Sequence, residues 1–162
     1  MTSQAGESLT TIQLRKSAEE FLWDNFRMKL RIPIRISNRM KSTLGVFKYY
    51  RKTREPFEIA LSGELVRNQP RDVVLDVLYH ECVHYALFAQ GLPHSDGDRE
   101  FKDTVDRLGV SRTRTIKYKG TAHLYECQDC DQRFTRKMKG YEKRYMCGRC
   151  QGDFDYLGTV KI

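Results

Sequence analysis

The sequence has no apolar run approaching the ~18–20 residues that a bilayer-spanning helix needs. Its first six residues form neither a basic segment nor an apolar one, so no secretory leader is expected and a cytoplasmic protein is. There is no internal repeat and no low-complexity tract. One stretch has no acid: residues 27–54 hold ten of the 29 Lys and Arg and not one Asp or Glu, which leaves 19 basic against 21 acidic residues elsewhere. The whole net charge of +8 therefore resides in that stretch. Against these absences stand eight Phe, nine Tyr and one Trp, ample core material for a globular fold. A chain of 162 residues suits one domain, or one small domain with an appendage.

Four of the five cysteines fall near the end as Cys127-x-x-Cys130 and Cys147-x-x-Cys150, sixteen residues apart. That spacing predicts a structural zinc site, each knuckle offering two thiolates to a tetrahedral ion. Disulfides would be disfavoured in a reducing compartment. Gly148, inside the second knuckle, is expected to supply a left-handed turn. So short a segment has few large aliphatics, and its folding energy must come largely from the metal, on the order of 10 kcal/mol or more. Phe134, Tyr141, Tyr145 and Phe154 would cap the ion.

Upstream, Leu14, Ala18, Phe21, Leu22 and Phe26 recur at helical spacing and predict a helix over residues 11–27. Ile32, Ile34 and Ile36 alternate, which predicts a strand, and Pro33 argues for an edge or a strand start. Two more strands are expected over 44–50 and 56–61, joined by a basic hairpin at 51–54. Pro70 and Asp72 open a strongly apolar helix that stops at Gly91. Another helix spans residues 98–108. The expected fold is α+β, with a domain over 1–110, a basic linker over 111–120 and a zinc ribbon over 121–162.

The apolar central helix contains His80-Glu81-Cys82-Val83-His84. Residues four apart share a helix face, so both imidazoles can reach one ion, with Glu81 leaning over its open position. Buried histidines and a glutamate cost free energy unless satisfied, and a metal satisfies them. Zinc held by two imidazoles and a third ligand keeps a place for water, whose pKa it lowers to about 7, and Glu81 would act as general base. Tyr79, Tyr85 or a nearby cation could assist the oxyanion. Cys82 is expected to be a packed apolar residue rather than a ligand.

His80-Glu81-Cys82-Val83-His84-Tyr85, followed by Glu100-Phe101 and then by the paired CxxC knuckles, resembles the SprT-like family. That family includes bacterial SprT-like proteins and the protease domain of Spartan, which degrades proteins crosslinked to DNA. The resemblance covers nearly the whole chain. It implies a zincin-like metallopeptidase domain with a C-terminal zinc ribbon, and two zinc ions, one catalytic and one structural. Family members usually carry a third histidine ligand twelve residues after the second motif histidine and five before the Phe. Here that position is Asp96, and His94 lies two residues earlier, so the resemblance leaves Asp96 or His94 as third ligand. A carboxylate there would make the metal-bound water somewhat less acidic.

The basic stretch and linker offer a nucleic-acid surface: Arg35, Arg39, Lys41, Lys48, Arg51, Lys52, Arg54, Arg112, Arg114, Lys117 and Lys119, with Tyr49, Tyr50 and Tyr118 interleaved for stacking. The competing reading is solubility charge on exposed strand faces. The ribbon is a weaker candidate, since its eight basic and six acidic residues give +2, which a four-thiolate zinc centre cancels. The leading expectation is a zinc metallopeptidase acting on proteins held on DNA, its sheet edge accepting an extended peptide. The alternative is a non-catalytic zinc protein, a nucleic-acid-binding or regulatory module. Glu81 favours the first, because a purely structural site has no use for a base beside the metal.

Overall fold

The structure, a computed structural model, describes residues 8–112 and 120–162. Contacts divide the chain into two compact units, residues 1–116 and 117–162. Among the described residues no helix is long and apolar enough to cross a membrane.

The first unit is mixed α+β. Helix α1 (Thr11–Phe26) starts at a capping box, in which Thr10 accepts from the Gln13 N–H and Gln13 reaches back to Thr10. Its Leu14, Ala18 and Leu22 are buried, as the periodicity predicts. Strands β1 (Ile34–Ser37), β2 (Gly45–Tyr49) and β3 (Pro56–Ser62) form a sheet in the order β1-β3-β2. β1 runs parallel to β3 and β2 antiparallel to it. The central strand holds fully buried Ile59, Ala60 and Leu61, whereas β2 lies at an edge. β1 begins later than the isoleucine alternation suggests. Pro33 precedes it, and its carbonyl accepts from the Ile59 N–H.

A short helix that the sequence did not predict, α2 (Gly63–Asn68), follows β3 directly, capped by the Ser62 hydroxyl. Helix α3 (Arg71–Ala89) is the longest and is buried from Val74 to Phe88 on most of its circumference. It ends at Gly91 in the left-handed region (φ 72°), where the Leu92 N–H returns to the Leu87 carbonyl. α4 (Arg99–Leu108) ends the same way at Gly109 (φ 71°). A main core joins α1, the sheet and α3, with Cys82 fully buried in it. A second cluster joins Val83 and Leu87 of α3 to Phe101 and Val105 of α4. Burial accordingly pushes the Cys82 thiol far up, as suits an inert packing residue.

The second unit is a three-stranded antiparallel sheet in the order β5-β4-β6, from β4 (Thr121–Cys127), β5 (Arg133–Arg136) and β6 (Phe154–Lys161). Its largest fully buried side chain is Tyr125, which the expected cap omitted. The phenol donates to the Met138 carbonyl at 2.8 Å and accepts from the Tyr141 N–H. Phe134, Tyr141 and Phe154 do pack beside the cysteines, while Tyr145 is half exposed and lies against the Tyr141 ring.

The expected linker is partly absorbed by the two units. Ser111 and Arg112 bond to the first unit, and Gly120 pairs with Ile162 in the second. Arg114, Lys117, Tyr118 and Lys119 lie outside the described residues.

Candidate metal centre

His80 and His84 sit one turn apart on α3 and are buried, as is Glu81 between them in sequence. Each ring turns its Nδ1 to a backbone carbonyl: His80 to Ser111 at 2.8 Å, and His84 to His94. A carbonyl only accepts, so each Nδ1 carries the proton, and in the neutral rings both Nε2 atoms are bare acceptors. These two Nε2 atoms lie 3.2 Å apart. Oδ1 of Asp96 lies 3.0 Å from the first and 3.1 Å from the second.

Three acceptors with no obligatory donor among them repel one another unless a cation or a shared proton lies between. Burial pushes His84 below the ordinary imidazole value, with the His94 carbonyl pulling the other way, which disfavours the proton. A tetrahedral ion with bonds of about 2.0 Å spaces its ligand atoms about 3.3 Å apart, close to the triangle seen here. The donor set therefore fits a zinc ion.

Phe101 of α4 backs this arrangement. Its ring stacks on His84 (centroids 4.0 Å apart, planes 11° apart) and meets His80 edge-on at 4.9 Å. His94 contributes its carbonyl to His84, while its ring packs edge-on against Tyr49 and Phe88.

A cleft of about 230 Å³ opens beside these residues, lined by Val46, Phe47, Tyr49, Glu81, His84 and the His94–Asp96 turn. Neither Tyr79 nor Tyr85 lines it. Tyr79 stacks on Phe21, and the Tyr85 hydroxyl donates to the Lys29 carbonyl and accepts from the Arg31 N–H. The strand beside the cleft is β2. Because the Ser62 N–H donates to Leu44, the alternation of an antiparallel ladder turns the backbone groups of Phe47 away from β3, toward the open edge. Gly45 lets β2 approach α3 closely, since a Cβ there would meet Glu81 Cγ at 3.1 Å and Val77 Cγ1 at 3.0 Å.

In the second unit, the four sulfurs of Cys127, Cys130, Cys147 and Cys150 lie within 4.8 Å of one another, with contacts of 3.3 and 3.8 Å. Thiolates bound to zinc at about 2.3 Å would stand about 3.8 Å apart, so this donor set also fits. The two knuckles share one backbone pattern. The N–H of Cys127 and of Cys147 donates to the carbonyl five residues on, and the residue after each second cysteine returns its N–H to the first. The left-handed residues are those returning ones, Asp131 (φ 58°) and Gln151 (φ 64°), and not Gly148 as the sequence suggested. The N–H groups of Cys150 and Arg149 hold the Cys147 thiol down to about 6. His123 is no part of the cluster; its Nδ1 meets the Tyr156 hydroxyl.

Eight members of the expected nucleic-acid surface are described, and four of them face carboxylates. Arg35 and Lys48 both bind Glu58 on the outer face of the sheet, Lys41 approaches Glu64 at 3.8 Å, and Arg112 pairs with Asp106. Arg54 lies over the Tyr49 and Phe88 rings. Arg39, Arg51 and Lys52 form no ion pair among the described residues.

An α+β unit with two helix-borne imidazoles, a neighbouring carboxylate and a buried glutamate at a cleft defines a candidate metallohydrolase, accompanied by a four-cysteine unit. The family model for the SprT-like family matches residues 11–124, and the chain belongs to that family. It is similar to the SprT-like protein of Bacillus velezensis, at 26% identity over 144 residues covering 86% of this chain and 93% of the relative. It is similar to that of Lactiplantibacillus plantarum at 25% over 148 residues, covering 89% and 97%. A SprT-like protein of Streptococcus gordonii is 42% identical over 83 residues, covering 50% of this chain and 56% of the relative.

Proposed function

We propose that this chain is a zinc-dependent metallopeptidase with a zincin-like first unit and a zinc-ribbon second unit. His80, His84 and Asp96 hold a catalytic zinc, Glu81 is the general base, and the four cysteines hold a structural zinc. The observation that carries this reading is the triangle of acceptor atoms at 3.0–3.2 Å, set beside a buried glutamate at a cleft.

When bound, zinc supplies a Lewis acid that acidifies water and polarises a scissile carbonyl. The chain's own residues do the rest. The Ser111 and His94 carbonyls fix the imidazole tautomers, so the Nε2 lone pairs point inward without reorganisation. The Glu81 carboxylate takes a proton from the attacking water and returns it to the leaving amine, so it ends the cycle as it began. An extended substrate adds to the open edge of β2 at Phe47, which brings its backbone to the cleft. Arg51 and Lys52, which follow half-exposed Tyr50 in the chain, and Arg39 at the opposite end of the sheet form no ion pair among the described residues; they support association with nucleic acid, and proteins held on DNA are the proposed substrates. Arg114, Lys117 and Lys119 add to that surface in this reading.

The test is cleavage of a basic protein by zinc-loaded enzyme, with and without DNA, beside Glu81→Gln. The parent is expected to cut, and the variant to lose roughly 10²–10⁴ in rate with its zinc content unchanged. Inertness of both, with zinc and DNA binding intact, would replace the peptidase with a non-catalytic zinc module.

A further inference from the structure

α3 carries Asp76, His80 and His84 at four-residue intervals, so the three side chains run along one helix face. Two of them grip a single residue beyond α4. The Ser111 N–H donates to Asp76 Oδ1 at 3.1 Å, and the Ser111 carbonyl accepts from His80 Nδ1 at 2.8 Å. The neighbours of Ser111 are anchored too. Val110 is buried with Val83, Leu87 and Phe101, and Arg112 forms an ion pair with Asp106. Yet Ser111 itself is exposed and outside any helix or strand. A carbonyl in such a segment, held only by the ring it is meant to orient, would turn with its own peptide. The Asp76 bond narrows that freedom: it fixes the 110–111 peptide and with it the Ser111 Cα, so that rotation about a single bond is the only way left for the carbonyl to swing away from His80.

We propose that Asp76 is a positioning residue of the metal centre. By anchoring the Ser111 N–H it holds the Ser111 carbonyl against His80 Nδ1, which keeps the His80 Nε2 lone pair aimed at His84 and Asp96. The proposal rests on the reading that these three residues hold a metal. Residues 110–112 are then part of the metal centre rather than the start of a linker.

The experiment compares the parent with Asp76→Ala and Asp76→Asn in the full chain. Alanine removes the acceptor at a helix-favouring position, and asparagine keeps an oxygen where Oδ1 stands. Long-range proton–nitrogen NMR of the metal-free protein reads the His80 tautomer. Cobalt titration reads the histidine site through its weak ligand-field bands, separately from the thiolate charge-transfer bands of the cysteine cluster. The expected results are a single Nδ1–H tautomer in the parent and a mixture in Asp76→Ala. The cobalt affinity of the histidine site should fall roughly tenfold or more in Asp76→Ala, with the cysteine site unchanged. Asp76→Asn should stay near the parent in both readouts. Parent-like tautomer and affinity in Asp76→Ala would overturn the proposal. So would equal loss in both variants, which would make the charge rather than the hydrogen bond the agent. Failure of the parent to bind cobalt at the histidines would instead remove the metallopeptidase reading, while the tautomer of metal-free His80 still decides whether Asp76 orients it.

Discussion

The two candidate metal groups of this chain invert each other's design. At the first, three acceptor atoms from α3 and the following turn converge beside a cleft, and they stand on a unit whose core runs from Leu14 of α1 through Ile59 and Leu61 of β3 to Leu78 and Ala86 of α3. At the second, four sulfurs lie within 4.8 Å of one another, the buried cluster that holds them is Cys127, Cys147 and Phe154, and beyond it the unit buries chiefly Tyr125 and Ala122. Where apolar burial suffices to fold the unit, the free energy of metal binding is available for chemistry, and a ligand position can be left to water. Where, in the proposed reading, the ligands make up much of a small core, that free energy goes into folding, and every ligand position is filled by protein.

The sharpest way to break this contrast is to withdraw the metal. A strong chelator should unfold residues 120–162, a loss on the order of 10 kcal/mol, while α1 to α4 keep their helical circular dichroism and amide dispersion. A cysteine unit that stayed folded without metal, or a first unit that melted with it, would erase the distinction. The next test concerns the open site alone. Asp96 is more than half exposed, so Asp96→Ala should leave stability nearly unchanged and weaken metal binding at the histidines by roughly a hundredfold or more, since losing a ligand costs at least as much as losing its outer partner. His94→Ala keeps the backbone carbonyl that serves His84, and loses only ring contacts with Tyr49 and Phe88 worth about 1 kcal/mol. Isothermal titration of both variants with zinc decides between the two residues, and the reverse ranking would make His94 the ligand.

What the sequence made legible follows from the range of each interaction. Helices α1, α3 and α4, the stop at Gly91, the one-face pairing of His80 with His84 and the two cysteine knuckles all rest on residues within about two turns of one another. Helix α2 escaped because six residues carry too little periodicity, and its cap, Ser62, doubles as the last residue of a strand. The parallel pairing of β1 with β3 and the brace at Ser111 join residues over 20 positions apart, and no local pattern encodes them. Asp76 went unremarked in the sequence: its spacing puts it on the histidine face, but nothing local names Ser111 as its partner. Phe101 entered the sequence reading through the family resemblance, and the packing of α4 on α3 reveals that it walls both imidazoles. In the knuckles, composition pointed to the glycine, whereas the backbone demand falls one residue past each second cysteine, on Asp131 and Gln151.

Acid separates the units by a smaller effect. On the outer sheet face, hydrogen bonds from Arg35, aided by Lys48, hold the Glu58 carboxyl down to about 2 against the pull of its own burial. A carboxyl whose folded value lies below its unfolded one stabilises fully above the unfolded value, near 4.5 here, and loses that contribution as pH falls toward 2. With the carboxylate nearly buried and both cations partly exposed, the contribution is roughly 2–3 kcal/mol at neutral pH. Thiolates release zinc as they take up protons, so the cysteine unit should open first on acidification, before the Glu58 window is crossed. Glu58→Gln should flatten the pH dependence of first-unit stability between about 4.5 and 2 and leave the acid midpoint of the cysteine unit where it was. Denaturant titrations followed separately by Trp23 fluorescence and by cobalt–thiolate absorbance measure the two. A single shared acid transition, shifted as one by Glu58→Gln, would mean that the units do not draw their stability from separate sources.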